Sequence, residues 1–193
     1  MRSICVYCGS SPGRREEYAV AARALGSALA QRGLRLVYGG ASVGLMGVVA
    51  DAVMAAGGEV VGLIPDALMR KEVAHHSLTE LIVTRSMHER KTRMAELSDG
   101  FIALPGGIGT FEELFEIWTW LQLGFHRKPC GILNVQGYYD GLLNFLDHAR
   151  DEGLLAPRVR DLLQVENDPQ ALLDSFAQWQ APDFDRWIGR GEL

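Results

Sequence analysis

Lysine is scarce in this chain, with only Lys71, Lys91 and Lys128 among 193 residues, so most positive charge rests on arginine, the better bidentate partner for phosphate. The net charge of −5 argues against a nucleic-acid surface, which would be basic. No apolar run approaches the ~20 residues of a membrane span. The first five residues read straight into a strand and leave no room for a signal peptide, so a cytoplasmic protein is expected. Cysteine is limited to Cys5, Cys8 and Cys130. Cys5 and Cys8 have C-x-x-C spacing, but positions three apart on a strand face opposite sides, and a redox pair belongs at a helix start. Zinc would need further ligands at suitable spacing, so the thiols are expected to be structural. Several catalytic signatures are missing too. There is no Gly-Lys-Ser/Thr of a Walker loop and no H-E-x-x-H, and the five histidines have no metal spacing. Neither a metal nor an organic cofactor is expected.

What the sequence does contain is an alternation of short β-branched runs with longer helical stretches, the pattern of a parallel sheet covered by helices. Strands are predicted at 4–8, 34–38, 59–64, 81–84, 101–104 and 130–135, with a possible edge strand at 162–165. Helices are predicted at 15–31, 44–56, 87–98, 111–125 and 138–151, and a last helix follows the N-cap pair Asp168-Pro169. The stretch 65–79 reads as a loop with at most a short helix. At 193 residues with 48% hydrophobic content, the chain suits one domain over 1–180 and a polar tail over 181–193. Three predicted strands end in glycine turns, at Gly9-Ser10, Gly39-Gly40 and Gly106-Gly107, and in a parallel sheet all three lie at the carboxyl edge where ligands bind. None fits the dinucleotide fingerprint, since the Gly39 turn lacks its spacing.

The segment Pro105-Gly106-Gly107-Ile108-Gly109-Thr110-Phe111-Glu112-Glu113 carries the chemistry. Glycines between a strand and a helix let the backbone approach an anion and direct N–H groups at it. Two carboxylates at the same turn would repel a phosphate, which suggests chemistry on something attached to that phosphate. A structural reading competes. Thr110 and Glu113 stand in the T-x-x-E relation of a capping box, worth about 1 kcal/mol with no function attached. The segment Met87-His88-Glu89-Arg90-Lys91-Thr92-Arg93-Met94 tips the balance, because Arg90 and Lys91 fall on the inward stripe set by Met87, Met94 and Leu97. An inward charge needs a carboxylate or a bound anion. The 111–125 helix is apolar nearly all round and must be covered by the core or by a second subunit, so a homodimer through it is expected.

Pro105-Gly106-Gly107-x-Gly109-Thr110-x-x-Glu113 with the upstream Met87-His88-Glu89-Arg90-Lys91 resembles the Lonely Guy family, the cytokinin riboside 5′-monophosphate phosphoribohydrolases. The resemblance extends through Cys8-Gly9-Ser10-Ser11, Tyr38-Gly39-Gly40, Gly44-Leu45-Met46-Gly47 and Trp120-x-x-Leu123-Gly124. It implies a Rossmann-like fold, a dimer, and hydrolysis of the N-glycosidic bond of N6-modified adenosine monophosphates, and often of AMP, to free base and ribose 5-phosphate. It also implies Arg90 and Glu113 as the catalytic pair. Gly106, Gly107, Ile108, Gly109, Thr110, Phe111 and Glu112 would bind the nucleotide, with Glu72, Lys91 and Thr119 as further contacts. Gly9, Ser10, Gly39 and Gly40 would line the site. The loop around Glu72 departs from the family pattern, with His75-His76 where smaller residues are expected. Related sequences are often labelled lysine decarboxylases, yet pyridoxal phosphate chemistry needs a Schiff-base lysine in a cofactor pocket, and none of the three lysines occupies an evident one. Two other readings stay open: a nucleotide sensor that does not cleave, and a hydrolase of another phosphoribosyl compound.

Overall fold

The apolar runs form strands buried on both faces, as a parallel sheet requires. A computed structural model describes residues 1–69, 74–75 and 77–182. Seven parallel strands make one sheet: β1 (Ser3–Tyr7), β2 (Arg35–Tyr38), β3 (Val60–Pro65), β4 (Glu80–Thr84), β5 (Phe101–Ala103), β6 (Cys130–Leu133) and β7 (Leu163–Glu166). Their spatial order is β4-β3-β2-β1-β5-β6-β7. The order reverses direction between β1 and β5, and a crevice opens at such a switch point, beyond the carboxyl ends of the strands.

The helices are α1 (Glu16–Gln31), α2 (Gly44–Ala55), α3 (Asp66–Met69), α4 (Met87–Glu96), α5 (Ile108–Gln122), α6 (Asp140–Asp151), α7 (Pro157–Arg160) and α8 (Pro169–Ala177). Strand alternation divides the core between two layers. Ile4, Val6 and Leu36 pack under Leu25 and Leu29 of α1, Val49 and Val53 of α2, and Leu172 and Phe176 of α8. Cys5, Tyr7 and Val37 face the other way, under Met94 of α4, Leu114, Ile117 and Leu121 of α5, and Leu146 of α6. Cys5 and Cys8 therefore sit in different layers, and all three cysteines are buried free thiols.

Most boundaries shift by one or two residues from the sequence expectation, and both ends of α5 by three. Helix α5 starts at Ile108 rather than 111, because the glycine turn itself supplies its N-cap, Gly107. It stops at Gln122 rather than 125, because Gly124 adopts φ 78° and closes the helix: its own N–H reaches Leu121 O, and the Phe125 N–H reaches Trp120 O. A 3-10 turn, Val135–Gly137, takes the end of the predicted 130–135 strand, and the predicted 138–151 helix becomes α-helical only at Asp140. Helix α7, a single turn, carries no apolar period and was not expected. Glu72 and His76, and the tail beyond residue 182, lie outside the described residues.

Candidate active site

The three glycine turns end neighbouring strands β2, β1 and β5, so they meet. The Gly9 N–H donates to Pro105 O at 3.1 Å, and the Leu45 N–H at the start of α2 donates to Gly9 O at 3.0 Å. The approach leaves no room for side chains: a Cβ on Gly106 would strike the Thr110 side chain and come within 2.9 Å of Gly9 N. Beyond this contact the cradle is open. Nothing lies within 4 Å of where a Cβ would stand on Gly107 or Gly109, and Ile108 is 85% exposed. The first N–H groups of α5 have no acceptor within the helix, and they face this opening at the positive end of the helix dipole.

The earlier helix start removes the capping-box reading. With Gly107 as N-cap, Thr110 and Glu113 fall at the third and sixth helical positions, and no side chain caps the helix. A side-chain N-cap occurs instead on α4. Ser86 Oγ accepts from the Glu89 N–H at 3.1 Å, and the Glu89 carboxylate accepts from the Arg85 N–H at 2.9 Å. This fixes the first turn of α4 and aims Arg90 inward.

Arg90 and Glu113 come together. Arg90 is 9% exposed, its Nε donates to Leu63 O at 3.0 Å, and its Nη1 lies 3.5 Å from Glu113 Oε1. Its guanidinium lies over the Cα of Gly39, where any Cβ would collide with Nη2. Burial pushes the Glu113 carboxyl up to about 7, against the pull of Arg90 and with help from the nearby charge of Glu112. At neutral pH this carboxyl is therefore close to half-ionised, the condition that suits a group that must both take and give a proton.

Other expected residues fall elsewhere. The Lys91 ammonium is held by two carboxylates of α5, Glu112 at 2.5 Å and Glu116 at 2.9 Å, so it ties α4 to α5 and is already neutralised. Burial lowers its pKa, but the bonds to Glu112 and Glu116 outweigh that and leave it raised. Glu112 is in turn engaged by Lys91. Thr119 is exposed, and its hydroxyl donates to Phe115 O of its own helix at 2.7 Å. It lies six residues past Glu113, about 9 Å along the axis, and is not gathered to the pair within one chain. Two residues with no pattern signal join the cradle: Tyr138 Oη donates to Gly106 O at 2.5 Å, and the Tyr138 ring stacks edge-on against Tyr18. Single aromatics in a loop and a helix carry no spacing by which sequence could find them.

The comparisons with known proteins fit this arrangement. A family model described as "Possible lysine decarboxylase" matches residues 46–176. The chain is 50% identical over 184 residues to LOGL5 of Oryza sativa subsp. japonica, a "Probable cytokinin riboside 5'-monophosphate phosphoribohydrolase", covering 95% of this chain and 75% of that one. It is 52% identical to the cytokinin riboside 5'-monophosphate phosphoribohydrolase of Rhodococcoides fascians, covering 86% and 85%. This chain belongs to the cytokinin riboside 5′-monophosphate phosphoribohydrolase family. The decarboxylase description survives only in the family model: the curated phosphoribohydrolases are hydrolases, and Lys91 is locked between two carboxylates. The phosphoribohydrolase fold is shared more widely. The molybdenum cofactor carrier protein of Chlamydomonas reinhardtii superimposes with a TM-score of 0.67 at 24% identity, over 92% of this chain and 96% of that one. That likeness concerns the fold alone.

Proposed function

We propose that this enzyme hydrolyses the N-glycosidic bond of adenosine 5′-monophosphates, N6-modified or plain, to free base and ribose 5-phosphate, as a cytoplasmic homodimer. The observation that carries the reading is the buried Arg90–Glu113 pair beside an open glycine cradle. The identity of about half to relatives bearing that activity supports it. In this reading the phosphate sits on the N–H groups of Gly107, Ile108, Gly109 and Thr110, and this remote binding orients the ribose. Cleavage builds positive charge on the sugar as the bond to the base breaks. Glu113 in its ionised form stabilises that charge or takes a proton from the attacking water. Arg90 binds the phosphate or polarises the leaving base. In this reading Phe111 is a further nucleotide contact, and Gly9-Ser10 and Gly39-Gly40 line the site.

The dimer is supported by α5. Phe115 and Trp120 on α5, with Leu123 and Phe125 just past its end, remain only half-buried in one chain, and Thr119 on the same helix is exposed. A second copy packed there would cover them. Three free thiols with no disulfide among the described residues agree with a reducing compartment.

The test is incubation of the purified protein with AMP and with isopentenyl-AMP, with products resolved by chromatography. Free base and ribose 5-phosphate are expected from both, and the ratio of rates ranks the substrates. Tight binding without release of base would overturn the hydrolase reading in favour of a nucleotide sensor.

A further inference from the structure

We infer that Tyr138 is a positioning residue, whose hydroxyl holds the Gly106–Gly107 peptide in the orientation that offers its N–H to a phosphate. The inference deepens the reading of the site given above and rests on it. Three consecutive carbonyls of the turn after β5 are each bound by a donor from another part of the chain. Leu104 O accepts from Tyr139 Oη at 2.7 Å, Pro105 O from the Gly9 N–H at 3.1 Å, and Gly106 O from Tyr138 Oη at 2.5 Å. The carbonyl and N–H of one trans peptide point in opposite directions. Anchoring Gly106 O on Tyr138 therefore turns the Gly107 N–H the other way, and this N–H makes no hydrogen bond among the described residues. Rotation of that plane would exchange the N–H for a carbonyl, and attraction for an anion would become repulsion. Its two axes are the ψ of Gly106 and the φ of Gly107, so no Cβ hinders it, and the space beside Gly107 is open. The bond to the carbonyl is the restraint that remains.

The tyrosine is itself held in place. Its ring packs edge-on against Tyr18 and Tyr139, with centroids 5.5 Å and 5.0 Å away, and its N–H donates to Val135 O at 3.0 Å. The turn before it is strained. Gln136 has φ 53°, the one positive φ at a non-glycine among the described residues, and Gly137 has φ 68°. Asn134 braces this turn by accepting from the Tyr139 N–H at 2.8 Å and donating to Asp140 Oδ1 at 2.7 Å. Strain of this kind persists only where the surroundings fix it, and here it presents two adjacent hydroxyls to one turn. The two tyrosines act differently. The Leu104–Pro105 peptide has no N–H to aim, so the fully buried Tyr139 serves the core alone. Tyr138 is 38% exposed beside the cradle, and its hydroxyl acts on the anion through Gly107.

The experiment compares the full-length wild type with Tyr138→Phe and Tyr139→Phe. Tyr138→Phe keeps the ring against its aromatic neighbours and loses only the hydroxyl. Calorimetry should find AMP and ribose 5-phosphate bound about fivefold more weakly by Tyr138→Phe, with an unfolding temperature close to wild type. Tyr139→Phe should unfold at a lower temperature, because it takes a donor from a buried carbonyl, while its affinity for ribose 5-phosphate stays within about twofold of wild type. In turnover of AMP, Tyr138→Phe should raise KM about fivefold, with kcat and the pH of the acid limb little changed. A general loosening of the fold would not give that split. Unchanged affinity of Tyr138→Phe for ribose 5-phosphate would overturn the positioning role, as would an equal loss of affinity in both variants. A wild type that binds AMP but leaves it intact would refute the proposed function, and the affinities alone would then decide on Tyr138. A wild type that binds neither AMP nor ribose 5-phosphate would refute both.

Discussion

Replacing Glu113 by glutamine is expected to make the protein more stable and nearly inactive. The reasoning starts from the carboxyl itself, which burial moves from 4.5 to about 7. At about 1.4 kcal/mol per unit, its ionised form costs about 3 kcal/mol more in the folded protein than in the unfolded chain. That figure already includes the attraction of Arg90, which acts in the opposite direction. Below pH 4.5 the group is protonated in both states and costs nothing. Between 4.5 and 7 the unfolded chain releases its proton while the folded protein retains it, so stability falls as pH rises, and above 7 the full cost is present. Glutamine has nearly the same shape and does not titrate. Thermal unfolding should therefore find Glu113→Gln level with wild type at pH 4.5 and more stable at pH 8. The gain at pH 8 is ~3 kcal/mol, or roughly 6–12 °C for a domain of this size. In the same preparation, calorimetry should show AMP still bound, while product analysis shows release of base reduced at least 100-fold. A variant less stable than wild type at pH 8 would refute the burial argument, because a carboxylate that holds the fold together gives the opposite sign. Retained turnover would refute the catalytic assignment.

The remaining predictions concern the neighbours of this carboxyl. Wild-type kcat/KM should fall on the acid side with a limb centred near 7, and Arg90→Met, which removes the charge that holds Glu113 down, should lower turnover and move the limb to higher pH in a pH–rate profile. Gly39→Ala puts a methyl against the buried Arg90 guanidinium and Met46 Sδ, so it should displace Arg90, lower the unfolding temperature and cut kcat by an order of magnitude or more on AMP. Light scattering should give the mass of two chains at micromolar concentration, and Trp120→Glu on the half-buried side of α5 should reduce it to one without changing the circular dichroism spectrum. A monomeric wild type would remove the dimer.

Much of this arrangement was legible in the sequence because it depends on local pattern. The alternation of buried runs and helices gave the parallel sheet, and the glycines after β1, β2 and β5 marked its carboxyl edge. Arg90 was legible because a charge on an inward stripe has few explanations. Thr110 and Glu113 misled, since T-x-x-E is a capping signature only when the helix begins at threonine. Glycine propensities placed that start three residues late, and the packing of Gly106 against Gly9, a contact between strands ninety-odd residues apart, overrode them. Lys91 misled for a related reason. Its inward position was visible, but its partners Glu112 and Glu116 lie on another helix, and no spacing along the chain pairs α4 with α5. Thr119 was named through family resemblance, and helix geometry places it on the exposed side of α5.

The cost of ionising Glu113 also explains why the site is built from parts so far apart in sequence. A carboxyl near 7 requires burial, and burial of a carboxyl is tolerable only where a cation compensates for part of it. Arg90 supplies that cation, but its own burial needs an acceptor, Leu63 O at the end of β3, and a path across a backbone with no side chain, at Gly39 after β2. The cradle after β5 then delivers Glu113 on the second turn of α5, where the helix start also offers unpaired N–H groups to a phosphate. Each requirement is met by a different strand end, and a parallel sheet is the architecture that brings such ends to one edge. A fold of this kind can host many functions, so the chemistry must be argued from the site. In this chain the deciding contact is the guanidinium lying across Gly39. Remove its path and the carboxyl beside it loses the charge that keeps it within reach of ionisation at neutral pH.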